Sequence, residues 1–123
     1  MTALGIIPSE QSEQVAFCRW FRLSYPRVLM FAVPNGMSLG GNEHQRAWQM
    51  AKLRAAGLVP GIPDLLIPEW HIAVEMKRQA GGRLSAEQKA IHPLFEAIGW
   101  TVIVARGCQD AIDRIKAIGE REI

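Results

Sequence analysis

The chain has 123 residues, a length typical of one domain, and we expect residues 1–123 to form a single folded unit. Hydrophobic residues make up 49% of the sequence and charged residues 21%, a balance that excludes an intrinsically disordered chain. The formal net charge of +2 permits a nucleic-acid partner without requiring one.

Cysteine and histidine usage narrows the class of protein further. Cys18 and Cys108 stand far apart and form no paired motif, which excludes a disulfide-rich secreted domain. His44, His71 and His92 have no ligand partner at a useful spacing, and we interpret them as surface or packing residues. The apolar start of the chain is too short for a membrane span and lacks a basic leader, so we expect a cytoplasmic protein with no membrane partner.

The first part of the chain predicts a helix, a strand and a second helix. Ser9 can cap a helix that runs to about Leu23. The apolar run Val28 to Val33 is typical of a buried strand. Asn42 and Gln45 have the capping-box spacing that indicates the start of the second helix.

The rest of the chain predicts two strands, a helix, a strand and a last helix. The two strands are 64–67 and 71–77, and 85–98 is an amphipathic helix. The apolar face predicted for this helix consists of Ile91, Leu94, Phe95 and Ile98. Residues 100–105 predict another strand, and 109–118 a helix that buries Ile112, Ile115 and Ile118. This order predicts an α/β fold, a small central sheet with helices packed on it.

Two acidic residues at the strand pair form the most informative pattern. If the two strands make a hairpin with residues 68–71 as its loop, Leu65 pairs with Val74 and Asp64 lies directly opposite Glu75. Opposed side chains in an antiparallel pair have Cβ atoms roughly 4.5–5.5 Å apart, so two carboxylates there repel each other. A divalent cation between them reverses that effect, and hard oxygen ligands suit magnesium or manganese.

Strand alternation adds a lysine to this pair. Side chains repeat every two residues along a strand, so Glu75 and Lys77 share a face, and Val74 and Met76 lie on the other. Lys77 is then placed to orient a water or to stabilise charge on a phosphate. A metal would acidify that water and polarise the phosphoryl oxygen. The alternative is an ordinary amphipathic hairpin with a solvated acidic and basic face.

At these residues the sequence resembles the PD-(D/E)XK nuclease superfamily and, within it, the virus-type replication-repair nuclease (VRR-NUC) family of small phage and bacterial nucleases. The matching stretches, which cover most of the chain, are Glu13-Gln14 with Trp20, Pro34-Asn35-Gly36, Gly61-Ile62-Pro63-Asp64-Leu65, Glu75-Met76-Lys77 and Ser85-Ala86-Glu87-Gln88. The resemblance implies a restriction-endonuclease-like core, a small mixed sheet flanked by helices. It also implies hydrolysis of phosphodiester bonds in DNA with Mg²⁺ or Mn²⁺.

The resemblance implies a role for the residues of the strand pair. Asp64 and Glu75 would hold the metal, together with the backbone carbonyl of Met76, and Lys77 would be the catalytic lysine. Stand-alone members of the family are similar to Holliday-junction resolvases that act as homodimers. A four-way DNA junction is therefore the implied substrate and a second copy of the chain the implied partner, because a two-fold dimer suits the two symmetric strands to be cut.

Two further residues are assigned to the site by the resemblance. It places a glutamate of the first helix at the metal, for which Glu13 is the best match and Glu10 the alternative. The competing interpretation of Glu13 is a half-exposed helix acid. Gln88 matches the family glutamine near the site and is a candidate catalytic residue, although its spacing from Ser85 fits a capping box equally well.

Several residues are candidates for contacts with DNA. They are Asn35, Gly36, Arg46, Lys52, Arg54 and Arg78. The cations among them would contact phosphates, which position a protein on DNA without specifying sequence. Each cation fits a solvated surface position as well, and Asn35 with Gly36 fits a simple turn.

The main function predicted is a structure-selective endonuclease, and three alternatives stay open. One is a less selective DNA nuclease, and another is a non-catalytic nucleic-acid-binding module on the same fold. The last is a structural phage protein with no chemistry. Opposed acids beside a lysine argue against the two non-catalytic alternatives, since binding alone does not need them.

Overall fold

Across residues 6–34 and 39–122, which the computed structural model describes, the chain forms a four-stranded mixed sheet flanked by four helices. In chain order the strands are β1 (Phe31–Ala32), β2 (Leu65–Ile67), β3 (Ile72–Lys77) and β4 (Thr101–Arg106). The helices are α1 (Glu10–Ser24), α2 (Glu43–Ala55), α3 (Ala86–Ala97) and α4 (Cys108–Glu122). The strands lie in the order β1-β2-β3-β4, with β3 and β4 parallel and the other pairs antiparallel.

The predicted α/β class and the predicted order of elements are confirmed. Each helix start that a polar residue indicated is present. The Ser9 side chain caps α1, and Asn42 with Gln45 and Ser85 with Gln88 form complete capping boxes at α2 and α3. These caps satisfy backbone N–H groups of the first turn, which have no partner within the helix.

The hairpin register is confirmed as well. Leu65 pairs with Val74 and Ile67 with Ile72, as predicted. A short 3-10 helix, Pro68–Trp70, joins the two strands and ends at a left-handed residue, His71. The register continued by one residue places Asp64 opposite Glu75.

The prediction of a buried strand from Val28 to Val33 is wrong in length and in burial. Only Phe31–Ala32 pairs with β2, and both of these residues are exposed, whereas Met30 is buried. The strand lies at the edge of the sheet, where it has one neighbour and little cover. One further backbone contact, from the N–H of Val33 to the carbonyl of Asp64 (2.9 Å), ties this edge to the residue before β2.

The two faces of β3 contact different parts of the protein. Val74 and Met76 belong to the apolar core with Phe17 and Phe21 of α1, and residues of α4 such as Ile115 complete that core. Glu75 and Lys77 alternate with them along the strand and contact side chains of α3. The fold therefore separates an apolar layer from a polar layer on the two sides of a single strand.

The apolar face predicted for α3 is wrong at two positions. Leu94 and Ile98 are 61% and 74% exposed, respectively. The face that α3 turns toward the sheet instead carries Gln88 and His92, with Phe95 one turn further on against the ring of Trp100. The predicted burial by α4 is confirmed for Ile115, whereas Ile112 and Ile118 are only partly buried against the core.

Helix α2 contributes nothing to the core. None of its residues, all of which the structure describes, is buried. Trp48 is 62% exposed, and the Nζ atom of Lys52 lies 4.3 Å from the centre of its ring. Within the described residues, no helix has both the length and the apolar character needed to cross a membrane.

The turn that leads into β2 packs directly on the start of α3. Gly61 has a φ of +95°, and a Cβ atom there would lie 2.5 Å from the carbonyl carbon of Glu87 and 2.9 Å from the amide nitrogen of Gln88. Only glycine fits this approach and this backbone conformation without strain. The residues just before Asp64 are thereby fixed against the helix that carries Gln88.

Replacing Gly61 by alanine should destabilise the protein more than the same change at Gly57. Gly57 has a similar φ of +109°, but a Cβ atom there would meet no atom within 4 Å. Both variants incur a backbone cost of roughly 1–2 kcal/mol. The clash should add roughly 1–3 kcal/mol at Gly61 alone. Urea denaturation of Gly61→Ala and Gly57→Ala measures the difference, and equal losses would contradict the close packing.

Candidate active site

A pair of carboxylates lies at the end of the hairpin, where β2 begins and β3 approaches its last residue. Asp64 accepts a hydrogen bond from the N–H of Met76 through Oδ2 (2.8 Å), which holds it against β3. Glu75 is 1% exposed, and its side chain makes a hydrogen bond with Asp64. The predicted opposition of these two acids is thus present in the structure.

Burial raises the pKa of Glu75 to about 9, and the hydrogen bond with Asp64 and its negative charge add to the effect. The positive charge of Lys77 lowers the pKa of Glu75, and the carboxylate of Glu10 raises it by a smaller amount. A carboxyl group with this pKa carries its proton at neutral pH. Without a bound cation, the proton on Glu75 therefore prevents the repulsion of two negative charges.

Gln88 links both charged residues of β3 to the start of α3. Its Oε1 atom accepts hydrogen bonds from Lys77 Nζ (3.0 Å) and from the N–H of Ser85 (2.8 Å). Its Nε2 atom donates to Glu75 Oε2 (3.1 Å). The Gln88 side chain therefore caps α3 and contacts the charged residues of the site at the same time.

His92 is a site residue that the sequence interpretation missed. It is 6% exposed, and its Nε2 atom lies 3.2 Å from Glu75 Oε1. Burial lowers the pKa of the imidazole, so the ring is neutral at pH 7. The sequence feature that could have identified His92 is its spacing of four residues from Gln88, because this spacing places both side chains on one helix face.

Glu13 lies at the start of α4 rather than between the two acids. Its Oε1 atom accepts from the N–H of Cys108 (3.1 Å) and its Oε2 atom from Gln79 Nε2 (2.9 Å). Gly107 makes room for it, because a Cβ atom there would lie 2.7 Å from Glu13 Oε2. Glu13 therefore caps α4 from another helix, which is a structural use of a buried carboxylate.

The other predicted residues lie at various distances from this cluster. Met76 is fully buried between Glu75 and Lys77 on β3. The four cations are exposed: Arg46, Lys52, Arg54 and Arg78. A side-chain nitrogen of Arg46 donates to the carbonyl of Gly41. Asn35 and Gly36 lie outside the described residues, as does the turn predicted there.

Within residues 6–34 and 39–122, no cluster of three or more histidine, cysteine or acidic side chains is arranged to hold a metal ion. The side chains that the structure brings together are two acids, a lysine, a glutamine and a histidine. Such a set can bind a cation through the acids, and it can offer an ammonium group to an anion beside them.

Comparison with known proteins supports the fold. No protein-family model and no curated protein matches the sequence. Among solved structures, a VRR_NUC domain protein superimposes with a TM-score of 0.69 over 90% of this chain and 88% of that chain, at 19% sequence identity. The chain has a VRR-NUC-like fold, as the resemblance implied.

Replacing Glu75 by glutamine should stabilise the metal-free protein in a pH-dependent way. The pKa of Glu75 is about 9 in the folded chain and 4.5 ordinarily. At a pH between these two values the folded chain binds one proton more than the unfolded chain, so the free energy of unfolding falls as the pH rises. Glu75→Gln avoids this loss, so its advantage over wild type should grow by up to about 1.4 kcal/mol per pH unit. Urea denaturation in EDTA at pH 4.5 to 8.5 measures it. An advantage that does not change with pH, or a similar trend for exposed Glu69→Gln, would contradict the prediction.

Replacing Glu13 by alanine should lower the free energy of unfolding by about 1–2 kcal/mol, because Cys108 N–H and Gln79 lose their acceptor. Glu10→Ala is the matched control, since Glu10 is an exposed acid in the same first turn of α1. It should change stability by less than about 0.5 kcal/mol. Chemical denaturation of both variants provides the comparison, and equal losses would argue against a capping role for Glu13.

Proposed function

We propose, from the premise that this chain has a VRR-NUC-like fold, that it is a metal-dependent endonuclease that hydrolyses phosphodiester bonds in DNA. The observation that carries the proposal is the contact of the half-buried Asp64 with the buried Glu75, and Lys77 lies two residues further along the same strand as Glu75. Two carboxylates in contact, one of them buried, oppose folding unless their charge is compensated. Such a pair is expected where a cation compensates it during function.

The donor set fits Mg²⁺ or Mn²⁺. Both are hard ions that prefer carboxylate, carbonyl and water oxygens. Magnesium usually takes only one or two carboxylates from a protein and keeps several waters, so a site with two acids is sufficient. Asp64 and Glu75 would hold the ion, with the backbone carbonyl of Met76 as a further ligand.

The glutamate of α1 at this site is better assigned to Glu10 than to Glu13. Both oxygens of Glu13 already accept hydrogen bonds, one from the N–H of Cys108 at the start of α4 and one from the side chain of Gln79. The charge of Glu10, by contrast, contributes to the raised pKa of Glu75, so the two acids interact electrostatically. We therefore assign Glu10 to the metal side of the site and keep Glu13 as a structural residue.

The remaining chemistry rests on Lys77 and Gln88. A bound divalent cation supplies Lewis acidity, which polarises the phosphoryl oxygen and acidifies the attacking water. The ammonium group of Lys77 stabilises the negative charge that develops on the phosphate oxygens. Gln88 holds that group by accepting its hydrogen bond at 3.0 Å, while its amide nitrogen orients Glu75. Asp64 stays in place through the N–H of Met76.

Contacts with the DNA backbone are assigned to the exposed cations. Lys52 and Arg54 lie on α2, and Arg78 directly follows Lys77. Arg46 shares one donor with Gly41, and its other guanidinium N–H groups are sufficient for a phosphate. Asn35 and Gly36, which follow β1 in the sequence, are proposed to contact the DNA backbone as well. Such contacts hold DNA in place without reading its sequence.

A four-way junction is the proposed substrate and a homodimer the proposed active species. A junction presents two symmetric strands, and two identical active sites related by a two-fold axis cut both. The resemblance to stand-alone VRR-NUC proteins supports this finer proposal. A less selective DNA nuclease is the alternative, and substrate choice distinguishes the two.

Replacing Lys77 by alanine should reduce junction cleavage by about 10²–10³-fold, the usual effect of losing a group that stabilises transition-state charge. The assay compares a four-way junction with a linear duplex of matched sequence in Mg²⁺ or Mn²⁺. Lys89→Ala is the control, because Lys89 is an exposed lysine of α3. Symmetric junction cuts that Lys77→Ala loses and Lys89→Ala keeps would support the proposal.

Other outcomes are equally informative. Equal cutting of junction and duplex would retain the nuclease and reject the resolvase. No cutting by wild-type protein that is folded and binds DNA would reject the enzyme in favour of a binding module.

A further inference from the structure

Helix α3 holds both oxygens of the buried Glu75 side chain. Gln88 Nε2 donates to Oε2 at 3.1 Å, and His92 Nε2 lies 3.2 Å from Oε1. The two contacts come from positions four residues apart, so they lie one above the other on the helix face. Glu75 is 1% exposed, so these contacts and its hydrogen bond with Asp64, rather than bulk water, determine the direction of its carboxylate.

The helix itself is firmly placed relative to the sheet. Its start is fixed by the capping box of Ser85 and Gln88 and by the close approach of Gly61 to Glu87. Gln88 has several partners, since it also accepts from Lys77 and from the backbone of Ser85. His92 contacts Glu75 itself, which makes it the more selective probe of the carboxylate.

We propose that His92 is a positioning residue that fixes the orientation of Glu75, so that its carboxylate faces Asp64 in the geometry needed to hold a divalent cation. This inference rests on the proposed function, because it concerns the same metal site. In the tautomer protonated at Nε2, the neutral imidazole donates to Glu75 Oε1. Metal ligands are commonly held in this way by a hydrogen-bonded neighbour.

Two other roles for His92 fit the structure less well. Its Nε2 atom is directed at a carboxylate oxygen and the residue is 6% exposed, so that nitrogen is engaged rather than available to a metal or a substrate. A packing role alone accounts for the burial but not for the contact with Glu75. The polar contact is the observation that separates positioning from packing.

Three variants separate these roles. His92→Leu fills the space without a donor, His92→Gln places an amide N–H at a similar reach, and Leu94→Ala changes an exposed residue of the same helix. Mn²⁺ binding, measured by electron paramagnetic resonance of the free ion, provides a readout that does not depend on cleavage. The orientation of Glu75 in crystals of the metal-free variants provides a second readout that does not depend on metal.

We expect His92→Leu to weaken Mn²⁺ binding by about tenfold or more and to let the Glu75 carboxylate rotate. His92→Gln should recover most of the affinity, and Leu94→Ala should match wild type. If His92→Leu does not fold, as judged by circular dichroism, His92→Asn replaces it, because its amide is too short to reach Glu75.

The proposal is overturned if the donor-less variant keeps wild-type Mn²⁺ affinity and an unchanged Glu75. Failure of the proposed function is a different result, in which wild-type protein binds no Mn²⁺. In that case the crystal structure of metal-free His92→Leu tests the proposal. An unchanged Glu75 overturns the positioning role of His92, and a rotated Glu75 supports it.

Discussion

The repulsion between two adjacent carboxylates, a buried Glu75 and a half-buried Asp64, is the constraint on which the site depends. Asp64 and Glu75 face each other across a hairpin, and the apolar core lies on the opposite side of the same strand. Burial of Glu75 beside Asp64 is costly, and the structure limits the cost by protonation of Glu75 and by hydrogen bonds from the backbone and α3. The strand therefore joins a well-packed layer, which gives rigidity, to a layer that is stable only when its charge is balanced.

Local pattern was sufficient to predict the parts of the fold that depend on neighbouring residues. The caps at Ser9, Asn42 and Ser85 follow from side chains three residues from the groups they bind. The hairpin register follows from the short loop, since a loop of known length leaves one alignment of the two strands. That register is what brought Asp64 opposite Glu75, so the acid pair could be predicted before the fold was known.

The parts that were missed depend on contacts between distant segments. Glu13 accepts from the N–H of Cys108, 95 positions away, and no local pattern indicates such a contact. His92 was assigned to packing because its partner lies on β3. The exposed face of α3 was misjudged for the same reason: an acid on the sheet, not an apolar surface, determines which side of the helix turns inward.

Helix α2 is not subject to the packing and charge constraints of the core and the site, because none of its residues is buried. Surface substitutions away from special features usually change stability by less than about 0.5 kcal/mol. Sequence drift along this helix is therefore tolerated far more readily than drift at Gln88 or Glu75. Under the proposed function, a lineage could change the basic residues of α2 while Asp64, Glu75 and Lys77 stay the same. The same separation makes α2 the natural segment for an engineer to exchange.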